Sequence, residues 1–418
     1  MAIQERNALK KGKANKLKII NDPIYGFIQI SNPIVFDIIE HPYFQRLRRI
    51  TQMGFSNLVY PGANHTRFHH AIGCMYLMQK VVRVLRFKEI EISKEEENAL
   101  YLAILLHDIG HGAFSHALEH SIVQDITHEE ISLLFMKKLN EEFDGKLSLA
   151  IAIFEGKYER NFMNQLISSQ LDIDRLDYLN RDSFYTGVTE GNIASDRLIT
   201  MMNVKNDQLV IEQKGIYSVE KFLISRRLMY WQVYLHKTGL VAEHLLVKVL
   251  QRAKELVQNG KVLFGSSTLL FFLKHSIGKD NFDSEVLDKF SKLDDFDILS
   301  AIKEWCHHDD FILSSLSKRL IDRRLFKIDI HKNPISEEKI GKLKSKVLEK
   351  HPGINQDNLH YFVLSGQIEN RAYADHNPIM ILNKQGKLLE LTKASDHFNL
   401  KALEKPVIKY FLCYPKLP

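Results

Sequence analysis

Residues 107–116 read His107-Asp108-Ile109-Gly110-His111-Gly112-Ala113-Phe114-Ser115-His116, and they follow eight consecutive apolar or aromatic residues, Ala99 to Leu106. An adjacent His-Asp pair at the end of a buried helix can offer one imidazole nitrogen and one carboxylate oxygen to the same divalent cation. The glycines let the next turn come close. A buried histidine bonded to a neighbouring carboxylate would leave the same local pattern, so the pair gains meaning only from further ligands. Two supplies exist. His69-His70 opens a helix after Arg67-Phe68, and Asp172, Asp174, Asp177 and Asp182 lie on or just beyond another. Asp174 shares a helix face with Asp177, three residues on, and with Tyr178, four residues on. Periodicity does not choose the ligating member.

Outward from this segment, helical signals dominate. Glu95–Ile109 and Phe68–Phe87 read as apolar helices, with Gly54–Asn64 a loop or short hairpin before them and extended pieces over Lys18–Ile30. Further helices are expected over His128–Glu141, Leu147–Phe154, Phe162–Asn180, Ala194–Met202, Ser218–Asn259 and Ser266–Ser276, and a strand over Gln208–Gln213. After about Asn333 the pattern changes to one helix, Glu337–Glu349, and strands at His360–Ser365, Pro378–Leu391 (folded back at Asn383–Gly386) and Val407–Tyr414. The expected fold is mainly α: a basic arm over 1–17, a helical body over 18–332, and a small α+β lobe over 333–418 packed against it.

The chain has 418 residues, 45% of them hydrophobic, which suits a globular protein and not a disordered one. A formal charge of +6 is weak evidence for a polyanionic partner at this length. Cys74, Cys306 and Cys413 are too scattered for a disulfide scaffold or a cysteine zinc cluster, so a reducing cytoplasm is expected. No apolar run is long enough for a membrane span, and no membrane partner is expected.

Taken together, Pro61-Gly62-Ala63-Asn64-His65-Thr66-Arg67-Phe68-His69-His70, the 107–116 segment and Asp172-Ile173-Asp174-Arg175-Leu176-Asp177-Tyr178 resemble the HD-domain deoxynucleoside triphosphate triphosphohydrolases. That family includes the bacterial dGTPase-like enzymes and the catalytic domain of the animal SAM-and-HD-domain dNTPase. The resemblance spans roughly Lys18 to Lys327, and no separate SAM domain is expected ahead of it. It implies an HD-domain helical phosphohydrolase core with His70, His107, Asp108 and Asp174 as metal ligands and His69 in support. It further implies catalytic roles for His116 and His128 near the α-phosphate, with Glu119 orienting His128 where the family has an aspartate. Imidazole can donate or shuttle a proton near neutral pH. His111 and His120 are additional candidates, and the His107-to-His111 spacing leaves room for a second metal. One divalent ion per site is implied; iron, manganese, zinc, nickel and magnesium all suit two imidazoles and two carboxylates.

The same resemblance implies phosphate contacts from Arg67, Arg175, Arg226 and Lys237. Gln52 and Asp182 would bind the 3′-hydroxyl, Tyr178 would pack near sugar and phosphate, and Tyr234 would crowd out a 2′-hydroxyl. The Tyr230-Trp231-Gln232-Val233-Tyr234-Leu235-His236-Lys237 run follows the family pattern. The implied reaction converts a dNTP, with dGTP the expected favourite, and water to deoxynucleoside and tripolyphosphate; no Walker A pattern is present. Lys18, Asn21, Glu40, Gln45, Arg48, Val59, Arg323 and Lys327 match positions that in regulated relatives bind GTP or dNTP effectors between subunits. Glu40 stands where the family has aspartate. A homodimer is the minimum expectation, and a tetramer is conditional on effectors. Two other readings stay open: an HD phosphohydrolase acting on another phosphorylated molecule, and a catalytically weak nucleotide sensor or nucleic-acid binder drawing on Lys11, Lys13, Lys16 and Lys18.

Overall fold

A computed structural model describes residues 18–30, 32–114, 121–370, 373, 377–395 and 405–417. The basic arm, His116, Glu119 and His120 lie outside the described residues.

Three helices position the site. α2 (Arg67–Phe87) follows the hairpin β1 (Lys18–Asp22) and β2 (Gly26–Ile30) and the short helix α1 (Pro33–Ile39). It starts at a capping box in which Thr66 and His69 satisfy each other's backbone amides. α3 (Lys94–Leu106) starts the same way: Ser93 accepts from the Glu96 amide, and Glu96 accepts from the Ser93 amide at 2.7 Å. Three glutamates in its first turn complement the helix dipole. Every residue from Ala99 to Leu106 is buried, so α3 runs through the core and delivers His107 at its end. Each buried leucine or isoleucine there contributes about 1.5–3 kcal/mol.

The remaining body is helical: α4 (His128–Glu142), α5 (Ser148–Phe154), α6 (Asn161–Ile167), α7 (Ile173–Thr186), α8 (Ser195–Met201), α9 (Ile216–Met229) and α10 (Lys237–Gln258). Beyond them come α11 (Ser267–Lys274), α12 (Ser284–Phe290), α13 (Asp295–Trp305) and α14 (Phe311–Ile321). The single helix expected over Phe162–Asn180 is two. Asp172 caps α7 by accepting from the amides of Ser169 and Arg175, both at 2.8 Å, and its extended backbone ends the preceding segment. The long helix expected over Ser218–Asn259 is also divided. A π-helical turn over Tyr230–Tyr234 separates α9 from α10, whose amino end is capped by His236 accepting from the Thr238 amide. Gly54–Leu58 is a 3₁₀ turn instead of a hairpin.

Strands β3 (Met202–Lys205) and β4 (Gln208–Glu212) form the expected small hairpin. β4 also pairs in parallel with β7 (Met380–Leu382), which is joined to β8 (Leu388–Glu390), so carboxy-terminal residues complete a sheet begun in the body. A second sheet has the order β5 (Lys327–His331), β9 (Val407–Tyr414), β6 (Leu364–Asn370), all antiparallel, with α15 (Glu337–Lys350) between β5 and β6 in sequence. The strand expected at His360–Ser365 is displaced: residues 359–361 form a 3₁₀ turn and β6 begins at Leu364. Among the described residues, no helix is long and apolar enough to cross a membrane.

Candidate metal centre and active-site cleft

His70 in the first turn of α2, His107 at the end of α3, Asp108 beside it and Asp174 in the first turn of α7 converge on one point. His70 Nε2 lies 3.2 Å from Asp174 Oδ1 and 3.7 Å from Asp108 Oδ2. His107 Nε2 lies 3.5 Å from Asp108 Oδ1 and 3.6 Å from Asp174 Oδ1. Ligand atoms bound at about 2.1 Å to one cation stand roughly 3.0–3.4 Å apart in octahedral or tetrahedral arrangements, so this spacing fits a divalent ion. Hydrogen bonding supports the fit. His107 Nδ1 bonds the Ile104 carbonyl at 2.7 Å, which assigns the proton to Nδ1. Its buried Nε2 has no hydrogen-bond partner, leaving a lone pair directed at the two carboxylates. His70 Nδ1 bonds Asp177 Oδ2 at 2.8 Å, the carboxylate-to-histidine contact that orients metal ligands.

Among the described residues, donor atoms form two groups, His70 with Cys74 and His107, and Asp108 with His111 and His128, each within 4.8 Å mutually. These groups provide for one or two metal sites. Burial pushes the Cys74 thiol well up, so it stays protonated and ligates poorly. Asp108 and Asp174, each within 3.7 Å of His70 Nε2, are the better candidates to complete the first group. In the second, His111 Nε2 is 3.5 Å from Asp108 Oδ1, and the His111 and His128 rings stack at 3.9 Å. Burial and the Arg67 charge push His111 down to about 3, so its imidazole is neutral at pH 7. For Asp108, burial opposes ionisation but His107, His111 and Arg67 outweigh it, holding the carboxyl well below its usual range. Burial likewise opposes ionisation of Asp174, and His107 and His70 outweigh it.

The packing behind the ligands is close. A Cβ on Gly73 would lie 2.2 Å from both Arg181 Nη2 and Asp177 Oδ1, and one on Gly110 would lie 2.2 Å from the His128 carbonyl and 2.3 Å from the Ser132 amide. The Gly110 amide donates to Ser132 Oγ at 2.9 Å, and that hydroxyl donates to the His107 carbonyl at 2.8 Å. Buried Arg46 donates to the carbonyls of Ile109 and His111, tying down the turn that carries the second histidine. Sequence reading passed over Arg46 and Arg181. The available signal for Arg181 was its place four residues after Asp177 on one helix face.

Above the ligands opens a cleft of about 580 Å³ lined by Arg67, Asp108, His111, His128, Asp174 and Arg175, and by Gln52, Tyr178, Asp182, Tyr230 and Tyr234. Arg67 Nη1 bonds Asp108 Oδ2 at 2.5 Å, and Arg175 pairs with buried Asp172. At the other end, the Tyr234 hydroxyl donates to Asp182 Oδ2 at 2.7 Å while His65 Nε2 bonds Asp182 Oδ1 at 2.7 Å. The Gln52 side-chain oxygen is buried with no hydrogen-bond partner. His65, Met53, Phe114 and Glu243 join the site unforeseen; His65 had no signal beyond its place in the 61–70 motif. Arg226 and Lys237 are not among the lining residues: Arg226 is buried on α9 with its guanidinium 6.0 Å from the Tyr230 ring, and Lys237 is exposed at the start of α10. A separate concavity of about 400 Å³ beside α15 is lined by Lys339, Lys342, Lys346 and Tyr414 and contains no histidine.

The residues matched to effector positions are spread over several places. Arg48 Nε donates to Gln45 Oε1 at 2.9 Å with Glu40 close enough to favour its charge, and Lys18 Nζ sits 4.3 Å over Phe36, on α1 one turn before Glu40. Asn21 is opposite Phe27 in the hairpin. Arg323 Nε donates to the Leu58 carbonyl, next to Val59, at 3.0 Å, whereas Lys327 sits on β5 against Asp329 at 3.4 Å.

Comparison with known proteins agrees with this geometry. The HD domain family model matches residues 67–182, and the HD associated region matches residues 193–263. YwfO of Bacillus subtilis is 34% identical over 408 residues, covering 93% of this chain and 90% of that one. A crystal structure of a phosphohydrolase from Bacteroides thetaiotaomicron is 50% identical with a TM-score of 0.93, covering 96% of this chain and all of that one. The SAMHD1 homologue of Dictyostelium discoideum, a deoxynucleoside triphosphate triphosphohydrolase, is 32% identical over 264 residues; the match spans 58% of this chain and half of that protein.

Proposed function

We propose that this chain, which belongs to the HD-domain phosphohydrolase family and is related to the SAMHD1-type dNTPases, hydrolyses deoxynucleoside triphosphates to deoxynucleoside and tripolyphosphate. The observation that carries the reading is the opening of two chemically different ends into one cleft. One end holds the ionised Asp108 and Asp174 with Arg67 and Arg175 close by. The other holds Asp182, fixed by His65 and Tyr234, with Gln52 and the Tyr178 ring. A volume of about 580 Å³ is in the range of small-ligand sites.

His70, His107, Asp108 and Asp174 would hold the ion, which supplies Lewis acidity to phosphoryl oxygens. The chain's own groups do the rest. Arg67 and Arg175 offer fixed cationic donors for phosphoryl oxygens as charge shifts during bond breaking, joined by Arg226 and Lys237 if substrate draws them in. Asp182 and Gln52 offer acceptors for a 3′-hydroxyl, and the Tyr234 ring, held by its bond to Asp182, takes the space a 2′-hydroxyl would need. The water oxygen joins Pα, the Pα–O5′ bond breaks, and O5′ takes a proton. His116 and His128 are the proposed proton carriers, with Glu119 orienting His128.

We extend the proposal to regulation: the Glu40, Gln45 and Arg48 group, with Lys18, Asn21, Val59, Arg323 and Lys327, forms effector contacts for GTP or dNTPs in a homo-oligomer. Product-resolved turnover of the four dNTPs, singly and mixed, with and without GTP and with several divalent metals, tests both parts. Deoxynucleoside and intact tripolyphosphate are expected. Orthophosphate or a nucleoside monophosphate from the same substrates would instead assign another phosphohydrolase activity. No turnover by folded, metal-loaded protein would favour a nucleotide-sensing or nucleic-acid-binding role.

A further inference from the structure

An unbroken run of buried charged groups ties the metal centre to the amino-terminal hairpin. Beyond the His70–Asp177 bond, Arg181 Nε donates to Asp177 Oδ2 at 2.8 Å and Nη2 donates to Oδ1 at 3.0 Å. The remaining Nη1 donates at 2.8 Å to Asp22 Oδ2, 159 residues away in sequence. His70, Asp177 and Arg181 have no exposed surface, and Asp22 is only 6% exposed. Asp22 uses its other oxygen locally: Oδ1 accepts from the amides of Ile24 and Tyr25 at 2.9 and 3.0 Å, closing the β1–β2 turn. One carboxylate therefore both shapes the hairpin and completes the coordination of Arg181.

We propose that Asp22 is a positioning residue for the metal centre, acting through Arg181 and Asp177 on the His70 ring, so that this one carboxylate of the β1–β2 hairpin, and not the backbone of its turn, is part of what sets metal affinity. Charge counting gives the reason. Asp22, Arg181 and Asp177 together carry one net negative charge behind a histidine whose opposite nitrogen faces the cation site. Without the Asp22 charge, the run becomes a neutral Arg181–Asp177 pair, and Arg181 Nη1 is left without a charged acceptor in a buried place. The guanidinium then has reason to turn, and Asp177 loses the bidentate hold that aims it at His70. Carboxylates behind ligating histidines tune metal binding about 10- to 100-fold. Asp22 stands one group further out, so a smaller effect is expected.

The experiment reads metal binding and not turnover, so its outcome is independent of the substrate reading. Full-length protein stripped of metal is titrated with Mn²⁺, and free ion is followed by electron paramagnetic resonance. Asp22→Asn keeps an oxygen for the turn amides and removes the charge from Arg181. It should weaken Mn²⁺ binding by roughly 3- to 10-fold, against roughly 10- to 100-fold for Asp177→Asn. The double variant should be no weaker than Asp177→Asn alone, because the run is already cut. Gly26→Ala is the control. It strains the same turn at φ +71° with no atom within 4 Å of the added carbon, and it should leave affinity unchanged. Wild-type affinity in Asp22→Asn, additive losses in the double variant, or an equal loss in Gly26→Ala would each overturn the proposal. Should Asp22→Asn fold poorly, Asp22→Ser is read against the same control.

Discussion

Replacing Gly73 by alanine sets two physical effects of opposite sign against each other. Gly73 lies inside α2, one turn after His70, and alanine in a helix interior is favoured over glycine by about 1 kcal/mol. The added carbon, however, would lie 2.2 Å from Arg181 Nη2 and from Asp177 Oδ1. These are side-chain ends, which commonly swing aside at little cost. Here they cannot. Arg181 has no exposed surface and is held by Asp177 and Asp22, and Asp177 is held by Arg181 and His70. Breaking a buried pair costs about 3–5 kcal/mol. Subtracting the helix gain leaves a net destabilisation of about 2–4 kcal/mol, or roughly 30- to 800-fold in the unfolding equilibrium.

Urea unfolding of metal-free protein measures the stability term. Metal titration measures the companion effect, a roughly 10- to 100-fold loss of affinity as Asp177 is pushed off His70. A Gly73→Ala protein that is as stable as wild type or more so, with unchanged metal affinity, would refute the reasoning. It would mean that the Arg181–Asp177 pair relaxes freely.

Gly110→Ala should be worse than Gly73→Ala, since its carbon meets the backbone of His128 and Ser132, which cannot rotate away; equal unfolding midpoints for the two variants would contradict this. Asp108→Ala should abolish metal-dependent turnover together with metal retention, whereas His116→Ala should impair turnover with less metal loss; near-normal turnover of metal-depleted Asp108→Ala would defeat the site assignment. Tyr234→Ala should raise ribonucleotide turnover relative to deoxyribonucleotide turnover, and unchanged relative rates would remove its steric role. Metal affinity should fall with acid. Burial opposes charge on His107, but Asp108 and Asp174 outweigh it and hold its pKa above the usual imidazole value. The proton that must leave before the nitrogen can ligate is therefore lost only above that raised pKa, and metal binding weakens as pH falls through it. Affinity that stays flat from about pH 8 to pH 5 would contradict the sign.

The candidate ligands could be picked out in sequence because each is a particular residue type fixed to a local landmark: His70 after a helix cap, His107 and Asp108 at the end of an apolar helix, Asp174 two residues after the Asp172 cap. Periodicity still left Asp174 and Asp177 equivalent, since both face the same way on α7. Three-dimensional contacts separate them. Asp174 meets the Nε2 atoms of both histidines, whereas Asp177 meets only His70 Nδ1 and is held there by Arg181. The difference is made by residues distant in sequence, including Asp22, and no local pattern announces a partner 159 residues away. The breaks at Ser168–Asp172 and Tyr230–Tyr234 were hidden for a related reason: apolar spacing continues across both, and only a side-chain cap or a backbone turn interrupts it. Gly73 joins the two kinds of information. In sequence it is an unexplained weak residue in a strong helix; in space it is the gap that lets Asp177 and Arg181 lie against α2 behind His70. A helix accepts the roughly 1 kcal/mol cost of an interior glycine where a buried ion pair needs the room, so such a glycine one turn from a candidate ligand points to the otherwise unreadable groups behind the metal.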